Sequence, residues 1–257
     1  MIAGIITNKE KDPALLYTTQ IYDFLIGQGV AICQDDDISD EKYITDADFW
    51  VVLGGDGTML HWSHIAAKHD IPLLGINLGN LGFLTDVEKH DGLEALAKVL
   101  AGEYETENRM MLEISPGLLA LNDVCVDTLG GLKTFDLYVN DYLLDTIRAD
   151  GIIVATPTGS TAHSLSAGGP LLIPGGQMMV ITPVCPHSLS TRPIVISAED
   201  VVRIVTCETA FVSADGEIIK AIRPNESVVV RKSVYTAKII KTSHSHLYDV
   251  LRRKKIL

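Results

Sequence analysis

Up to about residue 104, short runs of apolar residues alternate with longer segments in which apolar side chains recur at helical spacing. The continuous apolar runs predict buried strands, and the periodic segments predict amphipathic helices. The predicted strands comprise residues 2–7, 30–33, 49–53 and 71–77, and the predicted helices comprise residues 14–28, 59–70 and 91–103. Such alternation favours a parallel α/β sheet, in which ligands bind at the carboxyl ends of the strands.

The side chains of the first predicted helix indicate which of its faces is buried. Apolar residues that share one face of a helix pack against the core, whereas the opposite face meets water. The expected buried face of this helix carries Leu15, Leu16, Ile21, Phe24 and Leu25.

Beyond about residue 104 the pattern changes to short β-rich runs. The pairs Asn140-Asp141, Asp215-Gly216 and Pro224-Asn225 separate several of these runs and predict tight turns between them. Strands joined in this way favour an antiparallel β-sandwich. Residues 160–172 interrupt the β pattern and predict a helix that is capped by Ser160 or Thr161 and stopped by glycine.

The change of pattern divides the chain into two predicted domains. An α/β nucleotide domain covers residues 1–105 and is joined by a C-terminal helix, residues 244–257. A β-rich domain covers residues 106–243. The basic residues of the C-terminal helix complement the helix dipole in its last turn.

The charge balance limits the classes of partner. The sequence has 33 acidic and 21 basic residues, a formal net charge of −12. This composition argues against a nucleic-acid partner, which would require a basic surface to displace counterions. No apolar stretch approaches the roughly 18 residues that a membrane-spanning helix needs, and the N-terminus lacks the basic segment of a signal peptide. We therefore expect a cytoplasmic protein with no membrane partner.

The four cysteines, Cys33, Cys125, Cys185 and Cys207, are far apart in the sequence. A zinc site would require clustered cysteine and histidine residues, so we expect no protein-held metal. Reduced and mostly buried thiols are expected instead.

The segment LGGDGT, Leu53 to Thr58, lies where a predicted strand meets a predicted helix. Its glycines allow a ligand to approach the backbone closely, and the helix that follows offers unpaired N–H groups to phosphate oxygens. A carboxylate in a pure phosphate cradle would repel its ligand, so Asp56 suggests a proton acceptor or a magnesium contact. A capping aspartate in a tight turn is an equally good interpretation of this motif alone.

Two further segments carry polar or glycine-rich chemistry. NLGNLGFL, from Asn77 to Leu84, suggests a loop around a planar ligand with Phe83 as one wall, or a glycine-rich connection whose apolar residues pack inward. The segment from Arg148 to Pro170 places Arg148 and Asp150 before a strand and a group of Ser and Thr residues after it. Hydroxyl and N–H groups together can bind sugar hydroxyls, phosphates or an amide.

Five segments, in their order along the chain, resemble the NAD kinase family: GGDGTML, NLGNLGFL, ALNDV, the block from RADG to SAGGP, and PHSLSTRPIV. GGDG also occurs in phosphofructokinases and in diacylglycerol and sphingosine kinases, but its combination with NLGNLGFL and TPTGSTA is highly specific. The resemblance runs from Ile2 to the final LRRKKIL. It implies a phosphofructokinase-like α/β N-terminal domain with a parallel sheet and a β-sandwich C-terminal domain.

The resemblance also implies an activity: transfer of a phosphoryl group from ATP, or from polyphosphate, to the 2′-hydroxyl of the adenosine ribose of NAD, which makes NADP. Asp56 would be the base, Mg²⁺ would accompany ATP, and the protein would form homodimers or homotetramers. The residues expected to bind nucleotide, from the motifs and the resemblance together, are Gly57, Asn77, Phe83, Asn122, Asp123, Arg148, Asp150, Thr158, Thr161, Ala162, His163, Ser164, Leu165, Ser166, Cys185 and Glu217.

Three positions depart from the family pattern: His163 replaces a usual Tyr, Asp123 replaces the commoner Glu, and Glu217 replaces Gln. An imidazole still stacks on a nucleobase, and a shorter carboxylate lengthens its hydrogen bond or uses a water. Two alternatives remain open at this stage. One is a lipid or sugar kinase that shares GGDG, and the other is an NAD sensor that binds the dinucleotide without catalysis.

Overall fold

The computed structural model describes residues 1–34, 47–79, 82–85, 87–114, 117–128, 130–242 and 247–254. The chain forms two compact units. Unit 1 comprises Met1–Asn108 with Ala237–Leu257, and unit 2 comprises Arg109–Thr236. Residues 244–246 and 255–257 of the predicted C-terminal helix lie outside the described residues.

The helices and strands follow one another in the order β1 Ile2–Thr7, α1 Leu16–Gly27, β2 Ala31–Gln34, β3 Phe49–Gly54, α2 Asp56–Lys68, β4 Leu73–Asn77, β5 Val87–Glu88, α3 Gly92–Ala101, β6 Glu105–Ile114, β7 Leu119–Ala120, β8 Asp123–Asp127, β9 Lys133–Val139, β10 Tyr142–Ala149, β11 Gly151–Ala155, α4 His163–Ser166, β12 Met178–Val184, β13 Ile194–Ser197, β14 Val202–Thr206, β15 Ala210–Ala214, β16 Glu217–Ile222, β17 Ser227–Lys241 and α5 Leu247–Arg253. Short 3-10 turns occupy Lys89–Asp91 and Gly159–Thr161.

A parallel sheet forms the centre of unit 1, with strand order β4-β3-β1-β2. The last part of β17 joins the edge of β4, also in parallel. The predicted α/β architecture is therefore confirmed. The pairing places Gly54, at the end of β3, beside Asn77, at the end of β4, so that two loops leave the sheet at neighbouring carboxyl ends.

The first helix is shorter than its predicted span and buries a different set of side chains. Leu15 adopts a left-handed conformation, and Leu16 is 70% exposed, so neither lies on the buried face as expected. Tyr17, Ile21 and Leu25 pack into the core instead. The start of the helix is set by Asp12, because its carboxylate accepts hydrogen bonds from the N–H groups of Tyr17 and Thr18.

Two antiparallel sheets form unit 2, as the sandwich prediction requires. One contains β10-β9-β14 and the first part of β17, and the other has the order β13-β12-β11-β8-β15-β16. Both sheets contribute to one apolar core, for example through Phe135 of β9 and Ile152 of β11. Two predicted hairpin turns are confirmed by positive φ angles at Asn140-Asp141 and at Asp215-Gly216.

The predicted helix over residues 160–172 is largely wrong. Only the 3-10 turn and the four-residue α4 form there, and neither has a side-chain cap. Ser160 does not cap a helix because its hydroxyl donates to the carbonyl of Pro157 and accepts from the N–H of Leu172. The expected glycine stop is present, since Gly168 has a φ of 89°.

All four cysteines are free, as predicted, but most are not buried. Cys125 alone is buried, Cys33 is half-buried, and Cys185 and Cys207 are exposed. The last two lie at the surface because each follows the end of a strand of the sandwich. Across the described ranges, no helix is both long enough and apolar enough to cross a membrane.

Candidate functional site

The glycine bend between β3 and α2 brings backbone atoms close together at the carboxyl edge of the sheet. A Cβ atom on Gly54 would overlap the side chain of Thr58, so the bend requires glycine at that position. The helix begins at Asp56, three residues before the start that its apolar pattern predicted. Its first N–H groups therefore face the space beyond β3, where helix N-termini bind anions.

The carboxylate of Asp56 bonds to the loop that follows β4. Its Oδ2 accepts the N–H of Phe83 at 2.7 Å, and its Oδ1 accepts the N–H of Leu84 at 2.9 Å. Oδ1 also lies 3.2 Å from the N–H of Thr85 and 3.4 Å from its hydroxyl. Since α2 has no side-chain cap, Asp56 does not act as the capping residue of its own helix. The bonds fix the orientation of a half-buried carboxylate.

Gly82 leaves room for this arrangement. A Cβ atom there would overlap Asp56 Oδ1 and would lie 2.5 Å from the hydroxyl of Thr85. The motif NLGNLGFL therefore includes one glycine that the Asp56 carboxylate requires. Asn80 and Leu81 of the same motif lie outside the described residues.

Two other residues of this loop were expected to bind nucleotide. Asn77 is buried, and its side-chain oxygen accepts the N–H of Gly79 at 2.8 Å, so one of its interactions shapes the loop itself. Phe83 is half-buried, and the ammonium of Lys254 in the C-terminal segment lies 4.8 Å from its ring centroid. The ring therefore has a cation on one side, a contact that the linear sequence does not reveal.

Lys11 lies above the glycine bend. Its Nζ lies 2.6 Å from the position that a Cβ atom on Gly55 would take, and 3.4 Å from the corresponding position on Gly79. Within the part of the chain that the structure describes, the Lys11 side chain forms no hydrogen bond or ion pair. Sequence reasoning missed this cation because no lysine lies within GGDGT.

A cavity of about 500 Å³ adjoins the bend in unit 1. Its wall includes the side chains of Asn8, Thr58 and Trp62, together with Gly57. Asn8 donates from Nδ2 to the hydroxyl of Thr58 at 3.2 Å. The cavity therefore combines an aromatic side chain with amide and hydroxyl groups at the start of α2.

In unit 2, the residues Asn122 and Asp123 lie at the start of β8 and face the turn between β15 and β16. Asp215 in that turn accepts N–H bonds from Leu121 at 2.8 Å, Asn122 at 2.7 Å and Asp123 at 3.1 Å. In return, the N–H of Asp215 donates to the carbonyl of Asp123 at 2.9 Å. Four hydrogen bonds thus join the two segments.

Asp123 is 5% exposed and lies close enough to Asp215 for their charges to interact. Burial, and in second place the negative charge of Asp215, raises the pKa of Asp123 from 3.8 to about 7. Below that pH the carboxyl group of Asp123 carries a proton and can donate a hydrogen bond. The sequence placed Asp123 in a motif but did not predict its charge state.

The TPTGST segment packs against the same residues. Thr156 donates its hydroxyl to the carbonyl of Leu121 at 2.6 Å, and its N–H donates to the carbonyl of Asn122 at 2.9 Å. A Cβ atom on Gly159 would overlap the backbone of Asn122. The TPTGST segment thus supports the backbone of Leu121 and Asn122.

Thr158 is buried and accepts a hydrogen bond from the guanidinium of Arg109 at 3.2 Å. Arg109, which is 5% exposed, was not among the residues singled out from the sequence. Its only signal was an arginine at the start of the apolar run MMLEI. Thr158 therefore has a structural partner in addition to its expected nucleotide contact.

The run from Thr161 to Ser166 presents a mixture of buried and exposed side chains. The hydroxyl of Ser164 is buried and lies 2.9 Å from that of Thr182, so it bonds within the sandwich. His163 and Ser166 are exposed and can meet a ligand. Thr161, Ala162 and Leu165 are half-buried.

The remaining expected residues lie in other parts of unit 2. Arg148 is exposed and lines a cavity of about 520 Å³ with His187 and Arg192, among others. Asp150 is half-buried, and its backbone N–H bonds to Val184. The last two, Cys185 and Glu217, are exposed.

The metal-binding capacity of the protein is limited in the described ranges. No group of three or more His, Cys, Asp or Glu residues there could hold a metal ion.

Two family models match the sequence. Residues 39–104 match the ATP-NAD kinase N-terminal domain, and residues 121–242 match the ATP-NAD kinase C-terminal domain. An NAD kinase from Caldanaerobacter subterraneus is 36% identical over 98% of this chain and 97% of its own length. One from Heliobacterium modesticaldum is 38% identical with the same coverage.

Two solved structures share the fold. An NAD kinase from Archaeoglobus fulgidus in complex with ATP superposes with a TM-score of 0.83 and 28% identity, covering 98% of this chain and 99% of that one. A yeast NADH kinase complexed with NADH has a TM-score of 0.87 and 21% identity, covering 100% of this chain and 88% of that one.

Proposed function

The chain belongs to the NAD kinase family, and on that basis we propose the following roles for its residues. The enzyme phosphorylates NAD with ATP and makes NADP. The observation that carries the proposed mechanism is the oriented carboxylate of Asp56 at the start of α2. The three departures from the family pattern, at Asp123, His163 and Glu217, do not include Asp56, which lies within GGDG.

Asp56 accepts the proton of the ribose 2′-hydroxyl as phosphorus approaches it. A ribose hydroxyl is a weak nucleophile, and a positioned base contributes about 10²–10⁴-fold to such a step. Among bonds to the described residues, Oδ2 accepts only the N–H of Phe83, so a lone pair on this oxygen remains for the proton. The N–H bonds hold the carboxylate in a fixed direction, which reduces the entropy lost on reaching the transition state.

Mg²⁺ fits this site as a companion of ATP. Proteins usually hold Mg²⁺ through one or two carboxylates and the substrate phosphates, and the described residues offer no larger cluster. When bound with ATP, the ion would offset the repulsion between the donor and the Asp56 carboxylate. Of the residues at the glycine bend, Asp56 would be the one to contact the ion, directly or through a water.

NAD binds to residues of unit 2. Asn122 and Asp123 supply an amide and a carboxyl group, and exposed His163 supplies a ring that stacks on a base. Arg148 and Asp150 supply charges of both signs, and Ser166 supplies a hydroxyl. Support comes from the packing of the TPTGST segment against the backbone of Asn122, which holds these groups in place.

Lys11 binds the phosphates of the donor. Its ammonium lies at the glycine bend and forms no hydrogen bond or ion pair with the described residues, so its charge is available to an anion. Replacing Lys11 by methionine removes a charge-assisted bond worth about 1.5–3 kcal/mol, so the KM for ATP rises at least about tenfold. Steady-state kinetics with ATP varied at saturating NAD measures this.

The matched control is Lys68→Met, which removes an exposed cation from the last turn of α2, the end of the helix away from the glycine bend. Lys68→Met leaves the KM for ATP within about twofold, since surface charges contribute little. Equal KM values for the two variants would exclude Lys11 from the donor site.

The overall function is tested by measuring NADP formation with donor and acceptor varied separately. ATP with Mg²⁺ and NAD yields NADP, and replacing ATP by polyphosphate shows whether the donor range is broader. Binding of NAD without NADP formation would identify a sensor. Phosphorylation of a lipid or sugar in place of NAD would identify the other alternative.

We also propose that the protein forms a homodimer or homotetramer and that it is located in the cytoplasm. In support, the edge strand β10 exposes three apolar side chains, Tyr142, Leu143 and Leu144. Light scattering after gel filtration would give the mass, and a monomer at micromolar concentration would contradict this proposal.

A further inference from the structure

The turn between β15 and β16 carries a carboxylate whose interactions are unusual for a hairpin. Asp215 accepts the N–H groups of three successive residues, Leu121, Asn122 and Asp123. Two of these bonds end on Oδ1 and one on Oδ2, so both oxygens are engaged. A single side chain therefore sets the backbone path of the segment that enters β8.

The hairpin does not need this carboxylate to form. Backbone pairing between β15 and β16, from Ala210 opposite Ile222 to Ala214 opposite Glu217, already joins the two strands of the hairpin. The β9–β10 hairpin makes a similar positive-φ turn at Asn140-Asp141, where the position of Asp215 is taken by Asn140, an exposed amide that bonds to Asp200 and to the N–H of Val201. A turn of this kind therefore forms without a buried carboxylate network.

The same arrangement places two carboxyl groups close together, which is unfavourable. Asp123 is buried beside Asp215, and two neighbouring carboxylates repel each other when both are charged. Groups with this kind of perturbed environment are concentrated at functional sites. The segment that Asp215 holds is the one expected to bind NAD.

We propose that Asp215 is a positioning residue for NAD, which fixes the Asn122–Asp123 segment in the conformation that binds the dinucleotide. This inference rests on the proposed function, because it assumes that Asn122 and Asp123 contact NAD. Asp215 does not itself need to touch the substrate. Its carboxylate acts through the backbone N–H groups of Leu121, Asn122 and Asp123, and the last two of these are the expected binding residues.

A pH dependence follows from the neighbours of Asp123. Asp215 acts on it from the facing turn, and Cys125 and Asp127 share its strand. The pKa of Asp123 is raised from 3.8 to about 7, so between these values the folded protein holds a proton that the unfolded chain releases. The free energy of unfolding therefore falls as pH rises through this window and levels off above it. Removing the charge of Asp215 lessens this fall.

The test compares Asp215→Asn with Asp141→Asn, the same substitution at an exposed position in the positive-φ turn between β9 and β10. Asparagine keeps an acceptor for the bonds at Oδ1 but places an NH2 group against the N–H of Leu121. Asp215→Asn raises the KM for NAD about tenfold and leaves kcat and the KM for ATP within about twofold, because it disturbs a binding segment and not the reacting groups. Asp141→Asn changes none of these values.

A second variant, Asp123→Asn, keeps its backbone N–H bond and mimics the protonated carboxyl group. It makes the KM for NAD independent of pH between about 5 and 9, whereas the wild-type KM changes near pH 7. This variant keeps the inference testable if Asp215→Asn does not fold.

Three outcomes would overturn the positioning role: an unchanged KM for NAD in Asp215→Asn, an equal loss of kcat and of ATP binding, or a fall in melting temperature alone. Calorimetric titration with NAD separates failure of the positioning role from failure of the proposed function. A wild type that makes no NADP contradicts the function, while weaker NAD binding by Asp215→Asn still supports the positioning role.

Discussion

Asp56→Asn is expected to lower kcat at least about a hundredfold while the protein stays folded and still binds NAD. The amide cannot accept the ribose proton, whereas the reacting groups remain in place. The substitution also has a local cost, because an NH2 group at the position of Oδ2 would face the N–H of Phe83. One hydrogen bond is then unmade, which costs about 1–3 kcal/mol.

The decisive measurements are single-turnover rates and NAD affinity, made on the same preparation. Asp70→Asn is the matched control, since Asp70 lies just beyond the other end of α2 and pairs at the surface with Lys238. We expect Asp70→Asn to retain full turnover. A folded Asp56→Asn enzyme with nearly normal turnover would refute the role of Asp56 as the base.

A second variant, Gly82→Ala, tests whether the orientation of the Asp56 carboxylate matters for turnover in addition to its presence. Gly82→Ala keeps Asp56 but places a Cβ atom over its Oδ1, so the carboxylate must turn or the loop must move. Turnover should fall in this variant as well, with Asp56 still present. Unchanged turnover would show that the direction of the carboxylate does not matter for the reaction.

Gly159→Ala is expected to destabilise the protein and to weaken NAD binding. The added Cβ atom would overlap the backbone of Asn122, whose N–H is held by Asp215 and whose carbonyl accepts the N–H of Thr156. Because backbone held on both sides cannot easily move, the free energy of unfolding falls by about 1–3 kcal/mol or more. The KM for NAD rises because Asn122 is displaced.

Thermal unfolding and NAD kinetics together test this expectation. The control is Gly27→Ala, at the end of α1, where an added Cβ atom meets no other atom within 4 Å. Alanine is favoured over glycine in a helix, so Gly27→Ala leaves the melting temperature unchanged or slightly raised. A Gly159→Ala protein as stable as Gly27→Ala would contradict the close packing of this loop.

Much of the fold could be predicted because its signals are local. The apolar runs of unit 1 identified the strands of the parallel sheet, and α3 ends with its C-cap at Gly102, which has a φ of 76°, one residue before the end of its predicted span. Asn140-Asp141 and Asp215-Gly216 form turns because these residue types tolerate positive φ. The errors occurred where a distant partner overrode the local pattern, as when Ser160 bonded to Leu172 and did not cap a helix.

The sequence by itself determined the order of the elements and the position of Asp56 at a glycine bend, since periodicity and glycine chemistry act over a few residues. Only the tertiary structure decided the partners of the charged groups. Asp56 bonds to residues 27 to 29 positions away, and Asp215 bonds to residues more than 90 positions away. Such pairs depend on sheet order and register, which bring distant segments together and which no local pattern encodes.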